Sequence, residues 1–385
     1  MKVVTIPINS VRARFMNRKL AFIEKLSEYF DVYVLDVKEP WRTEVAPPMK
    51  AKYLEHIRFF ENYKFSINNA LWNETINSPY NLLLLRKILK NADLIINFDN
   101  IIWNQKLIKV LSKKRVPMVF DISDYTPAFA KDPAFRSVIT PLIEVIMKQS
   151  FNVSIKESSF ITTASKGLAD YARELRRDDK VTIIPNGTDI NVFKPLKDIL
   201  SDGVVRLGFV GAMRWWVGLE KVIMALPLLV RKINCKLILL GGGSERSKYE
   251  RLAEKLGVKE HIEFYKPVQY EKVPLFINKM DVCLLFFKKI YLTHTASPLK
   301  LFDYLACKRP VLSARLHEVK RLFGNLVYYA DSTKEIIEKI LEIVDDPSDA
   351  KERAEKCYRI VRERHDWKKL SEKFLNIIKG LAQGI

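Results

Sequence analysis

The stretch 204-VVRLGFVGAMRWWVGLEKVI-223 decides how the chain is divided. An apolar run over 204–210 ends on Gly211, a short turn with Arg214 and two tryptophans follows, and from 219 to about 233 apolar residues recur at helical spacing. Strand, turn and helix in that order open a parallel α/β unit. The unit arrives after the same alternation has already run its course once. Strands are expected at 3–8, 32–37, 94–98, 116–120 and 160–164, with an apolar run at 82–89 and helices over 14–29, 134–156 and 166–175. After the restart, strands are expected at 236–240, 262–265 and 282–287, with a helix over 248–256. The pattern is that of two doubly wound α/β domains, 1–195 and 196–367, with the hinge near Phe193-Lys194-Pro195. Basic helical stretches from 349 to about 381 are too long to belong to one sheet alone.

Size and composition agree. A chain of 385 residues with 48% apolar residues spread throughout suits two cores, and it holds no glycine-serine linker and no internal repeat. No apolar run reaches the length of about 18 residues that a membrane span needs, and 1-MKVVTI-6 reads as a first strand instead of a signal peptide, so a cytoplasmic protein is expected. Cys235, Cys283, Cys307 and Cys357 lie far apart in apolar contexts, which suits buried thiols and neither a disulfide frame nor a zinc site. The five histidines show no metal-ligand spacing. The net charge of +20 is spread evenly: residues 1–200 hold 31 Lys+Arg against 22 Asp+Glu, a balance of +9, which leaves +11 for the rest. Such a surface favours a phosphorylated substrate, an anionic membrane face or nucleic acid. The last is disfavoured, because there is no recognised motif and no basic-aromatic patch. Abundant lysine also accompanies life at high temperature, which dilutes the argument from charge.

Glycine placement narrows the chemistry. None of the 13 glycines precedes Gly167, while Gly208, Gly211, Gly218 and Gly241-Gly242-Gly243 crowd the second domain. Backbone turns that approach phosphates need glycine, so the second domain is the better place for a nucleotide. Neither cluster is a dinucleotide or Walker fingerprint. In 297-SPLKLFDYLACKRPV-311, Ser297 reads as a helix N-cap and Pro298 as the first helical residue, leaving the first-turn N–H groups free for an anion. Lys300 and Asp303, three apart, share a face, and spacing alone favours a salt bridge over an acid that accepts ligand hydroxyls. The segment 183-IIPNGTDINVFKP-195 reads as a strand running into a turn at Gly187.

Together 183-IIPNGTDINVFKP-195, 207-LGFVGAMRWW-216, 237-LILLGGG-243, 262-IEFYKPVQYEKVP-274, 281-DVCLLF-286, 297-SPLKLFDYLACKRPV-311 and 365-HDW-367 resemble a GT-B glycosyltransferase of the large retaining group called glycosyltransferase family 4. The match spans about 180 residues in the expected order; the first domain resembles the family in pattern only. The resemblance implies two Rossmann-like domains facing across a cleft, with a C-terminal helix, about 368–385, crossing back to the first domain. It implies transfer of a sugar from a nucleoside-diphosphate sugar to a glycan or lipid-linked acceptor, with retention of configuration and no cofactor or essential metal.

Position by position, the resemblance makes Asp303 the acceptor of the ribose hydroxyls and puts Ser297, Pro298, Leu299 and Lys300 under the diphosphate. It adds Gly211, Arg214 and Gly242 to the donor site and Val268 to the base contacts. His294 and Thr295 fall near the donor sugar. In the first domain Asn9, Ser10 and Arg12 replace the family's glycine-rich loop, and Asp124, with Asp121 as the second choice, stands where relatives carry a catalytic histidine or aspartate. The chain also departs from the pattern. Thr295 replaces an acid, Val217 replaces a lysine for which Lys221 or Lys300 are the available substitutes, and Lys308 replaces a glycine. These departures leave a sugar-nucleotide epimerase or an inactive relative as the rival within the fold, and a basic nucleic-acid-binding protein as the rival outside it. The stretch 135-FRSVITPLIEVIMKQSF-151 suits a core helix better than a membrane-lying one.

Overall fold

The computed structural model describes residues 1–8, 17–36, 57–61, 70–112, 116–132, 138–196 and 202–383, with side chains from 76 onward in helix Ala70–Leu89. Asn9, Ser10 and Arg12 lie outside the described residues.

Two all-parallel sheets form the body of the protein. The first joins β1 (Lys2–Pro7), β2 (Asp31–Asp36), β3 (Arg58–Glu61), β4 (Leu94–Phe98), β5 (Met118–Ile122), β6 (Phe160–Thr163) and β7 (Val181–Ile183) in the order β3-β2-β1-β4-β5-β6-β7. The second joins β8 (Val205–Val210), β9 (Cys235–Leu240), β10 (Ile262–Tyr265), β11 (Val282–Leu285), β12 (Val311–Ser313) and β13 (Tyr328–Tyr329) in the order β10-β9-β8-β11-β12-β13. Every position of β4, β5 and β11 is buried, because helices cover both faces, and this is why those strands read as unbroken apolar runs. In each sheet the strand order reverses beside the first strand, between β1 and β4 and between β8 and β11. Ligands of open α/β sheets bind at the carboxyl ends of strands at such switch points.

Helices Arg18–Ser27 and Trp367–Gln383 pack together on one face of the first sheet. Phe22 stacks on Phe374 at 4.2 Å, and Lys25 reaches Glu372 at 3.0 Å. The last helix therefore does cross back, as the resemblance implied. The expected helix over 14–29 begins only at Arg18 because the Asn17 side chain caps it, accepting the Leu20 N–H at 3.1 Å. The short strand β3 and the helix Gln105–Ser112 were not legible in the sequence, being too brief to show a period. The four cysteines are buried and free. Among the described residues no helix is long and apolar enough to cross a membrane.

Candidate functional site

The turns after β8 and β9 are built against each other. Gly211 donates to the Leu240 carbonyl at 2.9 Å and Met213 to that of Gly242 at 2.7 Å. Gly241 (φ +140°) has no room for a side chain, since a Cβ would lie 2.2 Å from the Gly211 carbonyl oxygen. A Cβ on Gly211 (φ +125°) would lie 3.0 Å from Cε of Lys300. The glycines expected for phosphate approach thus serve first to close one turn on another and to let Lys300 past.

Lys300 belongs to helix Leu299–Ala306, whose start corrects the expectation by one residue: Pro298 is the N-cap, and Ser297 caps nothing. The Ser297 hydroxyl instead accepts the Asn186 N–H at 3.3 Å, and its carbonyl accepts the Asn186 side-chain amide at 2.7 Å. The Leu301 N–H donates to the Pro298 carbonyl at 3.1 Å, which leaves the N–H groups of Leu299 and Lys300 suited to an anion. The Lys300 ammonium lies 4.5 Å from the ring centre of Phe209 and 5.0 Å from that of Phe287. Burial pushes its pKa down to about 8, with Asp303 opposing.

The salt bridge favoured by spacing does not form. Asp303 accepts the Thr188 hydroxyl at 2.6 Å, and Lys300 acts on it only through its charge, without an ion-pair contact. Burial pushes the Asp303 carboxyl up to about 7, against the pull of Thr188 and Lys300. A recessed cation and a recessed acid, neither with an ionic partner among the described residues, thus stand one helical turn apart on one helix. Of the two lysines that could replace the missing one, Lys221 donates to the Asp331 carbonyl at 2.5 Å, and Val217 itself is fully buried under Tyr249. Lys300, by contrast, is recessed beside the Gly211 turn. Lys308 adopts the left-handed backbone (φ +55°) for which a glycine would be cheaper, and its ammonium pairs with Glu355 at 2.7 Å.

The other expected donor contacts divide. Arg214 is half-buried in the turn after β8, and Val268 is half-buried in the loop after β10. Thr295 is buried: its hydroxyl donates back to the Tyr291 carbonyl at 2.8 Å, and its methyl packs where a Cβ on Gly167 would come within 2.8 Å. His294 stacks on His317 at 4.0 Å, its Nδ1 buried without a partner, and burial lowers its pKa.

In the first domain the structure corrects Asp121. Fully buried at 0% exposure, it takes both Nε and Nη2 of Arg18 at 2.7 Å and also the Thr162 hydroxyl, so its acceptor capacity is spent on the core. Asp124 differs. Its side chain has no partner among the described residues, and burial, with Asp99 adding and Lys19 opposing, pushes its carboxyl up to about 7. Its neighbours carry it to the second domain. Tyr125 meets Tyr291 edge-on at 4.8 Å, and Phe129 meets Trp216, from the turn after Gly211, at 5.7 Å.

Sequence reasoning missed Thr188, Asn186, Lys19 and Asp99. Asp99 takes the Ser123 N–H at 2.8 Å and faces Lys19 at 3.8 Å. Asn186-Gly187-Thr188 looked like a turn, yet it is laced to His365-Asp366-Trp367. Thr188 donates to the His365 carbonyl at 2.9 Å, Trp367 donates to that of Thr188 at 3.1 Å, and His365 Nδ1 meets the Asn186 carbonyl at 3.0 Å. Both crossings of the chain between domains therefore meet beside the helix that carries Lys300 and Asp303.

Comparison with known proteins agrees with this layout. Residues 197–364 match the family described as glycosyl transferases group 1. An uncharacterized glycosyltransferase, MJ1607 of Methanocaldococcus jannaschii, is 29% identical over 147 residues, a match covering 34% of this chain and 37% of that relative. Sucrose-phosphate synthase from Thermosynechococcus elongatus superposes over 100% of both chains with a TM-score of 0.78 at 13% identity. Anabaena HepE in complex with UDP-glucose superposes with a TM-score of 0.69 at 14% identity over 99% of this chain and 100% of that one. WaaG, a glycosyltransferase involved in lipopolysaccharide biosynthesis, gives 0.69 at 15% identity over 98% of this chain and 100% of that one. At these identities the likeness to the solved structures is one of fold.

Proposed function

We propose that the chain, which has the GT-B fold and matches the glycosyl transferases group 1 family over residues 197–364, is a retaining glycosyltransferase of family 4. It moves a sugar from a nucleoside-diphosphate sugar to a glycan or lipid-linked acceptor. The observation that carries this reading is the pair Lys300 and Asp303, held beside the Gly211 turn without an ion pair between them. Asp303 accepts the ribose hydroxyls. Lys300, Arg214 and the first-turn N–H groups of helix Leu299–Ala306 meet the diphosphate, a charge balance that asks for no essential metal. Val268 borders the base, and that HepE was solved with UDP and with UDP-glucose supports a uridine donor.

Asp124 takes the catalytic role: it orients or deprotonates the acceptor hydroxyl and stabilises the positive charge that develops on the sugar. The enzyme works in the cytoplasm, peripherally at an anionic membrane face, a reading supported by its charge of +20. Calorimetry with UDP, GDP and ADP tests the donor assignment. One nucleotide should bind at least about tenfold more weakly to the Asp303→Ala variant than to the unaltered protein, and undiminished affinity would remove Asp303 from the site.

A further inference from the structure

One face of the first sheet is covered by helices Arg18–Ser27 and Trp367–Gln383, but the layer on the other face exposes large aliphatic side chains on its outer side. Helices Ala70–Leu89, Gln105–Ser112 and Thr140–Glu157 lie side by side there. Their inner residues, among them Leu85, Ile108 and Phe151, are buried against the strands. Their outer residues mix aliphatic side chains with cations. Leu142, Val145 and Ile146 are 59%, 51% and 54% exposed, at spacings of three and one that make a single helical stripe, and Val138, in the turn before the helix, is 98% exposed. Leu83 and Val110 on the two neighbouring helices are likewise exposed. So much open aliphatic surface in one layer marks a contact surface. Of the core helix expected over 135–151, residues 135–137 lie outside the described residues, and Thr140–Glu157 packs Phe151 and Ile155 into the core while its other side stays exposed.

The charges between these residues identify the occupant. The described acids on the three helices are spent within the layer, Glu144 on Lys131 at 3.1 Å and Glu157 on Lys109 at 3.0 Å. Arg86, Lys87, Lys106 and Lys148 stand exposed, with no ion-pair partner among the described residues. A second copy docked about a twofold axis would set these cations against themselves. An anionic lipid surface satisfies both features, because acyl chains take the aliphatic side chains and headgroups take the cations. We infer that the outer side of helices Ala70–Leu89, Gln105–Ser112 and Thr140–Glu157 is the face by which this protein docks on an anionic bilayer. Phe151, on the inner side of the third helix, meets Tyr125 edge-on at 5.6 Å, so docking there holds the loop of Asp124 near the lipid surface.

The inference rests on the peripheral-membrane reading above and assigns it a surface. It is tested by co-sedimentation with vesicles of phosphatidylcholine, alone or mixed with phosphatidylglycerol. The unaltered protein should partition onto the mixed vesicles. A triple variant, Leu142→Ser, Val145→Ser and Ile146→Ser, changes no charge and should partition about tenfold less, while its calorimetric affinity for UDP, which reports an intact fold, matches that of the unaltered protein. Changing Lys106 and Lys148 to Gln should weaken binding and flatten its salt dependence. If the unaltered protein ignores mixed vesicles, the peripheral reading and the docking face both fall. If it binds and the triple variant binds equally, the face alone is wrong. If the triple variant instead dissolves a dimer in size-exclusion light scattering, with vesicle binding unchanged, the occupant is a second copy and the inference is overturned.

Discussion

The hydroxyl of Thr188 donates a 2.6 Å hydrogen bond to Oδ1 of Asp303, tying the segment where the chain passes between domains to the acid proposed to hold the donor ribose. Thr188 is fully buried, and its backbone is bonded on both sides to His365-Asp366-Trp367. The hydroxyl stabilises the charged carboxylate, against burial that would protonate it. Replacing Thr188 by Val should raise the Asp303 pKa above its present value of about 7, so that at neutral pH more of the acid is neutral. UDP affinity at pH 7 should fall roughly threefold to tenfold, as loss of one hydrogen bond implies. The midpoint of the affinity against pH should move upward, and Thr188→Ser should restore it. A variant that weakens binding without moving the midpoint would show Thr188 to be a packing residue only.

Donor affinity should have a maximum between about pH 7 and pH 8. Below that window Asp303 takes up a proton and loses acceptor strength; above it Lys300 loses its proton and with it the attraction for phosphate. Replacing Lys300 by Met should remove the alkaline fall and weaken UDP by about tenfold to a hundredfold, the range for a charged hydrogen bond. Binding of uridine, which lacks the diphosphate, should change little. Calorimetry across pH with both ligands checks this.

Asp124→Asn should leave UDP affinity intact and lower kcat by about a hundredfold or more, the ordinary worth of general-base catalysis. The unaltered enzyme should lose activity as pH falls through about 7, because burial and Asp99 push the Asp124 carboxyl up to that value and the protonated form cannot act as a base. Steady-state rates of nucleotide release, measured with acceptor present, supply both numbers. Equal kcat in the two proteins would take Asp124 out of the chemistry.

Asp121 should behave in the opposite way. Removing its partner in Arg18→Met leaves a carboxylate buried without a counter-ion, at a cost of about 3–5 kcal/mol. The double change Arg18→Met with Asp121→Leu should recover part of that loss, because an apolar pair leaves no buried charge behind. Urea unfolding gives the stabilities. Activity per folded molecule of Asp121→Asn should stay close to that of the unaltered enzyme, which separates a core acid from the site acid three residues later.

These contrasts show where reading the chain succeeded. Strands such as β4 and β11 were visible because each is short, wholly apolar and bounded by turns, and their alternation with helices forces a parallel sheet. The helix of Lys300 and Asp303 was visible because proline and the apolar face around it mark a helix start. Pairings between distant segments were not visible. Nothing local in Asp121 tells that Arg18, 103 residues earlier, will claim it, nor that Ser297 will be taken by Asn186 instead of its own helix.

The sequence by itself determined the two-domain α/β architecture, the location of the nucleotide-type glycines in the second half, and the residue types able to meet a phosphate and a ribose. Those are properties of periodicity and local backbone chemistry, which act over a few residues. Tertiary structure decided which of two acids is spent in the core, which lysine stands free, what Thr188 touches, and which side of Thr140–Glu157 stays uncovered. Each of these depends on hydrogen-bonding and packing partners more than 100 residues away or on the opposite sheet face. A side chain's burial, pKa and freedom to bind a ligand are set by those partners and not by its neighbours in the chain.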